Sequence, residues 1–301
     1  MRIETGLSNT MAKLLLFGAN GQVGRELSRS LLPVGDVYAV RRGQCDLTDK
    51  DAIMRTVREV RPDVIVNAAA YTAVDRAESE EDVAMAINGK APGVLAQMAK
   101  EAGSLLVDYS TDYVFDGEKK LPYVETDRPC PLNVYGRSKL AGLQAIEQSG
   151  CRYLVFRVSW VYGRIGKNFV NTMLRLAGEK PELKVVADQW GSPTPADLIA
   201  DITAHALMMK RSEREEGLFN LAPRGETNWH EYAAFIYQVY RQLTQKKIPE
   251  VIPVTSAEYP VAASRPKNSR MNTHKIQEVF GITLPDWRTP LQRIIEDTIL
   301  S

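Results

Sequence analysis

The sequence predicts an α/β protein: a doubly wound parallel sheet followed by a smaller C-terminal lobe. Three observations carry this. From Ala12 onward, short and wholly apolar runs alternate with segments of helical period, the pattern of strands buried on both faces. The first such run leads directly into Gly18-Ala19-Asn20-Gly21-Gln22-Val23-Gly24, a glycine-rich turn opening a helix. With 301 residues, of which 44% are hydrophobic and 25% charged, the chain can fill one large core and a smaller companion.

The elements follow in order. Residues 13–17 form a strand and 23–32 a helix; 37–40 a strand and 52–60 a helix; 63–67 a strand, with helical pattern over 83–87 and 94–102. Residues 104–110, the helix 134–148 and the strand 153–159 continue the alternation. Beyond Tyr162 the pattern loosens, through Gly163 and Gly166, a helix at 169–176 and a turn at 178–181. The run 185–187, the helix 196–208 and the strand 218–221 are expected to return to the sheet. The aromatic stretch 229–240 and the Pro-punctuated tail from Ile248 build the second lobe. The expected division is an extension over 1–11, a dinucleotide-binding domain over 12–160 with a return at about 185–222, and a substrate lobe from 161–184 and 223–301.

Several function classes fall away. Lys and Arg number 38 against 37 Asp and Glu, a net charge of +1 that argues against nucleic acid as the main partner. No apolar run approaches the ~20 residues of a membrane span. Cys45, Cys130 and Cys151 are widely spaced and form no CxxC pair, which suits reduced thiols in the cytoplasm. His205, His230 and His274 lack any metal-binding spacing, so no catalytic metal is expected. The mixed charges over 210–216 read as a solvated helix end or loop, and the aromatics of 229–240 as core.

In the glycine turn, Gly18 permits the tight bend, Gly21 admits a pyrophosphate close to the backbone, and Gly24 lets the helix pack on the sheet. The spacing is GxxGxxG, the short-chain dehydrogenase form of a Rossmann turn. Arg41 and Arg42 end the second strand, where an NAD-selective site carries an acid; a guanidinium there suits a 2'-phosphate, so NADPH is favoured and NADH is the alternative. Asp46 follows, within reach of an adenine amino group. Asn67-Ala68-Ala69-Ala70 puts small side chains at a strand end beside the cofactor. Tyr135 and Lys139 stand at i and i+4 on one helix face, where an ammonium can lower a phenol's pKa. Thr111, at the end of the strand over 104–110, supplies a hydroxyl for the reacting carbonyl.

The ordered motifs GANGQVG, VNAAAYTAVDRAE, YSTDYVF, LNVYGRSKLAG, FRVSWVYG, DQWGSPT and RPKNSRM resemble those of the dTDP-4-dehydrorhamnose reductase family, among the extended short-chain dehydrogenases. The resemblance runs over nearly the whole chain from Met11. It implies a two-lobed fold, a nicotinamide cofactor, and reduction of the 4-keto group of a nucleotide sugar in rhamnose biosynthesis. It also implies catalytic roles for Tyr135, Lys139 and Thr111, with cofactor contacts from Gly21, Gln22, Val23, Asp46, Leu47, Ala70, Tyr71 and Thr72. Asp112 and Trp160 match substrate contacts, and Asn168 and Arg265 match positions that approach a diphosphate in related enzymes. Many relatives carry an acid at the position of Arg41, a departure that bears on the choice of NADH. The same motifs admit an epimerase or a non-catalytic subunit of the same fold, and leave room for a homodimer.

Overall fold

The computed structural model describes residues 11–209 and 216–300. In chain order it runs through β1 (Ala12–Phe17), α1 (Gln22–Ser30), β2 (Gly35–Val40), α2 (Lys50–Val60), β3 (Val64–Asn67), α3 (Val74–Ala77) and α4 (Glu81–Ala84). A π-helical turn over Met85–Lys90 leads into α5 (Ala91–Ala102), followed by β4 (Leu105–Thr111), α6 (Val134–Ser149) and β5 (Arg152–Val158). The chain continues through β6 (Val161–Tyr162), α7 (Phe169–Leu176), β7 (Glu182–Val186), β8 (Trp190–Gly191), β9 (Thr194–Pro195), α8 (Ala196–Met208) and β10 (Gly217–Leu221). It ends with β11 (Thr227–Asn228), α9 (Trp229–Thr244), β12 (Glu250–Val254), α10 (His274–Phe280) and α11 (Arg288–Leu300).

Six strands form one parallel sheet in the order β10-β5-β4-β3-β1-β2. Because β2 lies on one side of β1 and β3 on the other, the topological switch point falls at the C-terminal ends of β1 and β3, where open α/β sheets bind ligands. Every residue of β3 and β4 is buried, which is why 64–66 and 105–107 read as unbroken rather than alternating apolar runs, while Asn67, Asp108, Ser110 and Thr111 carry polar groups into the interior. One face of the sheet packs Leu14, Leu16, Val107 and Phe156 against Leu27 of α1 and Ile199 of α8; the other packs Leu15, Ile65 and Leu106 against Leu95 of α5 and Val57 of α2. The second lobe has its own core of Tyr162, Met173, Tyr232, Tyr237, Trp287 and Leu291.

Three expectations need correction. The run 185–187 does not return to the large sheet: β7 pairs in parallel with β12, Val185 opposite Pro253. Of its residues only Val185 is fully buried, too little apolar surface for a place inside a doubly covered sheet. The tail is likewise not confined to the second lobe. Ile276 and Phe280 of α10, with Leu284, enter the core beside β10, and the Phe280 ring stands 5.1 Å from that of Phe219. Finally, the helical stretches 83–87 and 94–102 are one nearly continuous helix, α4 to α5, widened at Met85–Lys90. Pro92 has no N–H to give the Asn88 carbonyl, and the relaxed turn accommodates the lost bond.

Of the extension expected over 1–11, residues 1–10 lie outside the described residues, as do 210–215 of the charged run, while Met11 is exposed; Glu216, at the end of that run, pairs with Arg152 at 2.6 Å. The aromatic stretch divides. Tyr232 and Tyr237 are core, whereas Trp229 is half-buried and stacked on Trp160.

Helix α6 passes so close to the π-helical turn that a Cβ at Gly142 would sit 2.1 Å from the Asn88 carbonyl oxygen. Neither backbone can yield alone, so Gly142→Ala is expected to cost about 1–3 kcal/mol of stability. A lowered urea midpoint with an unchanged slope would register it.

Candidate active site

The turn after β1 is sterically fixed. Gly18 has φ +79°, and a Cβ there would meet the Ala69 nitrogen at 2.5 Å; a Cβ on Gly24 would meet the Gly18 carbonyl oxygen at 2.0 Å. A Cβ on Gly21, by contrast, would meet nothing closer than the Gly18 oxygen at 3.3 Å and the Ala68 oxygen at 4.0 Å. It is the N-cap of α1, no side chain caps that helix, and its first turn holds no acid. The first-turn N–H groups are therefore available to an anion, and the glycines leave the backbone bare for it, so these residues fit the pyrophosphate of a dinucleotide. Val23 packs against the sheet core. The Gln22 Oε1 accepts a 2.8 Å hydrogen bond from Asn168 Nδ2.

At the end of β2, Arg41 is exposed, forms no ion pair among the described residues, and its backbone N–H donates to Gln44 Oε1 at 3.0 Å. Arg42 instead pairs with Asp46 at 3.2 Å. Thr48 donates to the other Asp46 oxygen from both its N–H and its hydroxyl, each at 2.9 Å, and these bonds hold the carboxyl below the usual carboxylate range. The Leu47 side chain is buried in the core, which leaves its backbone as the part a ligand could touch.

After β3, the backbone of residues 68–72 is tied down from three directions. Ala68 N–H donates to the Phe17 carbonyl at 3.0 Å and Ala69 N–H to Asn67 Oδ1 at 3.3 Å. Asn88, from the π-helical turn, accepts from Tyr71 N–H and donates back to the Tyr71 carbonyl, both at 2.9 Å, and reaches Ser138 Oγ on α6 at 3.1 Å. Ala70 is half-buried, Thr72 exposed, and the Tyr71 hydroxyl donates to Glu80 at 2.6 Å.

The α6 N-terminus is anchored by groups the sequence reading missed. Asn133 accepts from Gly136 N–H and donates to the Ser264 carbonyl, both at 2.8 Å, while Glu78 accepts from Val134 N–H at 2.8 Å. One turn on, Lys139 is buried and its Nζ donates to the Tyr109 carbonyl at 2.8 Å. Burial lowers its pKa, opposed by the charge of Asp108, itself bonded to Asn67 Nδ2 at 2.6 Å. The expectation that Lys139 lowers the Tyr135 pKa is not met here, because the ammonium is turned to the Tyr109 carbonyl. Burial pushes the Tyr135 phenol up to about 12; the Thr111 hydroxyl opposes the rise and the Asp112 charge adds to it. A phenol so placed keeps its proton at neutral pH.

Thr111 ends β4, Asp112 follows it, and both are buried. Burial raises the Asp112 carboxyl to about 6, although Ser269, Thr111 and the Arg157 charge favour its ionised form. Tyr113, also missed from the sequence, sets its ring edge-on to Tyr135 with centroids 5.9 Å apart, next to Arg265. Trp160, just past β5, adopts φ +46° and stacks on Trp229 at 3.7 Å.

Two residues are more engaged than a free diphosphate ligand would be. Arg265 makes a two-pronged ion pair with Asp75, at 3.0 and 2.8 Å, and Asp75 also accepts from Ala263 N–H at 3.1 Å. Asn168 caps α7 by accepting from Asn171 N–H at 2.9 Å and spends its amide hydrogens on Gln22 and the Gly163 carbonyl, which places it at the glycine turn. The histidines stand apart: His205 bonds the Phe280 carbonyl, His230 the Val251 carbonyl, and His274 is paired with Glu278 on the surface.

A bare helix N-terminus at the switch point, with half-buried Tyr135 near buried Lys139 and Thr111 at the C-terminal end of β4, defines a nicotinamide-dependent oxidoreductase of the extended short-chain class. The model of the RmlD substrate binding domain family matches residues 12–299, and the chain belongs to that family. It is 47% identical over 295 residues to a dTDP-4-dehydrorhamnose reductase of Burkholderia thailandensis, covering 95% of this chain and 99% of that protein. The enzyme of that name from Salmonella typhimurium is 46% identical, covering 94% of this chain and 97% of that one. Among solved structures, the Bacillus anthracis dTDP-4-dehydrorhamnose reductase in complex with NADP superposes with a TM-score of 0.86 at 35% identity, over 95% of this chain and 99% of that one.

Because the Asp112 carboxyl is raised from 3.8 to about 6, its ionisation in the folded state opposes stability: the penalty is absent below about pH 4 and complete above about pH 6. Asp112→Asn should therefore gain on the parent protein as pH rises from 4 to 8, by about 2–3 kcal/mol in all. Denaturant melts at the two ends of that range are the check; a pH-independent difference contradicts the assignment.

Proposed function

We propose that the protein is a dTDP-4-dehydrorhamnose reductase, which uses NADPH to reduce the 4-keto group of dTDP-4-dehydro-β-L-rhamnose and yields dTDP-β-L-rhamnose. The observation that carries this reading is the meeting of Tyr135, Lys139 and Thr111 at the end of β4, beside an uncapped glycine turn, in a chain whose relatives bear that name. Gly18, Gly21, Gln22, Val23, Gly24, Asp46, Leu47, Ala69, Ala70, Tyr71 and Thr72 would hold the cofactor, and exposed Arg41 would meet a 2'-phosphate. When bound, the reduced nicotinamide supplies a hydride to the carbonyl carbon.

The chain's own residues do the rest. Tyr135 Oη gives its proton to the carbonyl oxygen as negative charge builds there, which a phenol with a pKa near 12 is protonated to do at neutral pH. Lys139, on the same helix face and held by the Tyr109 carbonyl, offers its remaining ammonium hydrogens to the ribose of the cofactor. Asp112 and Trp160 line the sugar side. Arg265 faces the diphosphate with the guanidinium N–H groups left over from its pairing with Asp75, and Asn168 serves it through Gln22. This reading puts the enzyme in the cytoplasm, where nucleotide sugars are made; no helix of the described residues is long and apolar enough to cross a membrane. A homodimer is compatible with it.

NADPH absorbance during turnover of the keto-sugar tests the proposal: stoichiometric consumption supports a reductase, and conversion without net consumption an epimerase. Tyr135→Phe, which keeps the ring and loses the transferable proton, should cut kcat by about 10²- to 10⁴-fold with little change in the NADPH dissociation constant. Arg41→Asp should move preference from NADPH towards NADH by about 1–3 kcal/mol in relative kcat/KM. An unchanged ratio of the two cofactors' kcat/KM values would make Arg41 a surface arginine.

A further inference from the structure

Among the described residues, those other than glycine that take a positive φ are Arg61, Trp160 and Gln245. Arg61 and Gln245 are the C-caps of α2 and α9, where a left-handed residue is an ordinary way for a helix to stop. Trp160 ends no helix. It lies in the short step between β5 and β6 at φ +46°, a conformation that glycine takes without strain and a large side chain resists. Val158, just before that step, is the register partner of Thr111, so Trp160 leaves the sheet at the end where Thr111 stands. A bulky residue held in such a backbone points to a use for its side chain.

Two contacts hold the Trp160 ring. Trp229, the first residue of α9, stacks on it with centroids 3.7 Å apart and 12° between the planes. Gly191 of β8 approaches the same ring: a Cβ there would meet Trp160 Cε2 at 2.7 Å, Cζ2 at 2.9 Å and Nε1 at 3.0 Å. Trp229 is itself pinned. Its indole N–H donates to Gln189 Oε1 at 3.2 Å, Gln189 Nε2 donates to Ser256 Oγ at 2.9 Å, and the Phe169 ring lies 4.8 Å away. The Trp160 indole N–H, by contrast, has no acceptor among the described residues, so contact with Trp229 and Gly191 is what orients the ring.

We infer that Trp229 and Gly191 are positioning residues for the keto-sugar: a stacking ring and the absence of a side chain together fix the plane of the Trp160 indole on the sugar side of the site. The inference rests on the reductase reading and deepens it, adding to the substrate wall two residues that act through Trp160. It also gives the left-handed backbone a role, because that turn delivers the indole to the place where Trp229 stacks on it. One short antiparallel ladder sets both contacts at once: Thr227 opposes Gly191 and Asn228 opposes Trp190, and Trp229 follows directly. The ladder is tied in turn to the stretch 267–269, since Trp190 N–H donates to the Lys267 carbonyl at 2.8 Å and Ser269 N–H to the Trp190 carbonyl at 2.7 Å.

Two indoles stacked this closely give an exciton couplet in far-ultraviolet circular dichroism, which reports the stack without any ligand. Trp229→Leu should abolish the couplet and raise the KM of the keto-sugar by about 3- to 10-fold, the worth of one aromatic stack, with kcat and the NADPH dissociation constant nearly unchanged. Trp229→Phe, which keeps a stacking ring, should restore most of the KM. Gly191→Ala leaves every aromatic in place, and its new methyl meets the Trp160 ring first; it should alter the couplet and raise KM in the same way. In a Trp160→Ala background neither substitution should raise KM further. An equal rise in that background would mean that Trp229 and Gly191 act on the lobe at large and would overturn the inference, as would an unchanged KM in both Trp229→Leu and Gly191→Ala. Calorimetric affinity for dTDP-β-L-rhamnose follows the same contact without turnover. A parent protein that binds this nucleotide sugar but consumes no NADPH would sink the reductase reading alone, with the inference decided by the same pattern in that affinity.

Discussion

The site depends on how near α6 can come to the backbone around it. A Cβ on Gly136 would lie 2.1 Å from the Tyr113 carbonyl oxygen, and one on Gly142 would lie as close to that of Asn88. Tyr135 stands immediately before the first of these contacts and Lys139 between the two. With larger residues at either place the helix would stand off, Lys139 Nζ would lose the Tyr109 carbonyl, and Tyr135 would leave the neighbourhood of Thr111. The capping groups Asn133 and Glu78 then fix where along its axis the helix begins. Two glycines and two caps convert an i, i+4 spacing, which any helix can carry, into a particular placement against β4.

Much of this was legible in the sequence because it is local. The strand-turn-helix at 12–24 is a contiguous signal, and so is the spacing of Tyr135 and Lys139. What was missed depends on partners far away along the chain. Asn88 looks like one polar residue in a helical stretch until Tyr71 and Ser138 are seen around it. Asp75 and Arg265 are 190 residues apart, so their pairing leaves no trace in either segment. Arg41 and Arg42 are adjacent and alike on paper, yet only Arg42 is paired, because Asp46 lies within its reach. The run 185–187 misled for the opposite reason: a short apolar stretch shows that a strand will form but not which sheet will take it.

Across the C-terminal ends of the central strands lies a layer of buried polar groups: Asn67 of β3, Asp108 and Thr111 of β4, Asp112 just beyond it, Arg157 of β5 and Lys139 of α6. Stability alone would fill these positions with apolar side chains. Burial drives the pKa values of Asp108 and Asp112 up and those of Lys139 and Arg157 down, each away from the charged form. Such a layer is tolerable because β1, β3, β4 and β5 pack so fully beneath it, and it concentrates strong, directional electrostatics where a carbonyl would be reduced.

The threading of α10 has a consequence for how the molecule comes into being. The nucleotide half is begun by the first residues of β1, but its core is closed by β10 and by Ile276 and Phe280, after the chain has crossed to the other lobe and returned. A polypeptide leaving the ribosome therefore carries β5 with one edge unpaired, and the apolar face of α1 uncovered, until α8, β10 and then α10 emerge. The two halves are joined as a clasp rather than as beads on a string, and a cut between them would separate the sheet from its own last strand.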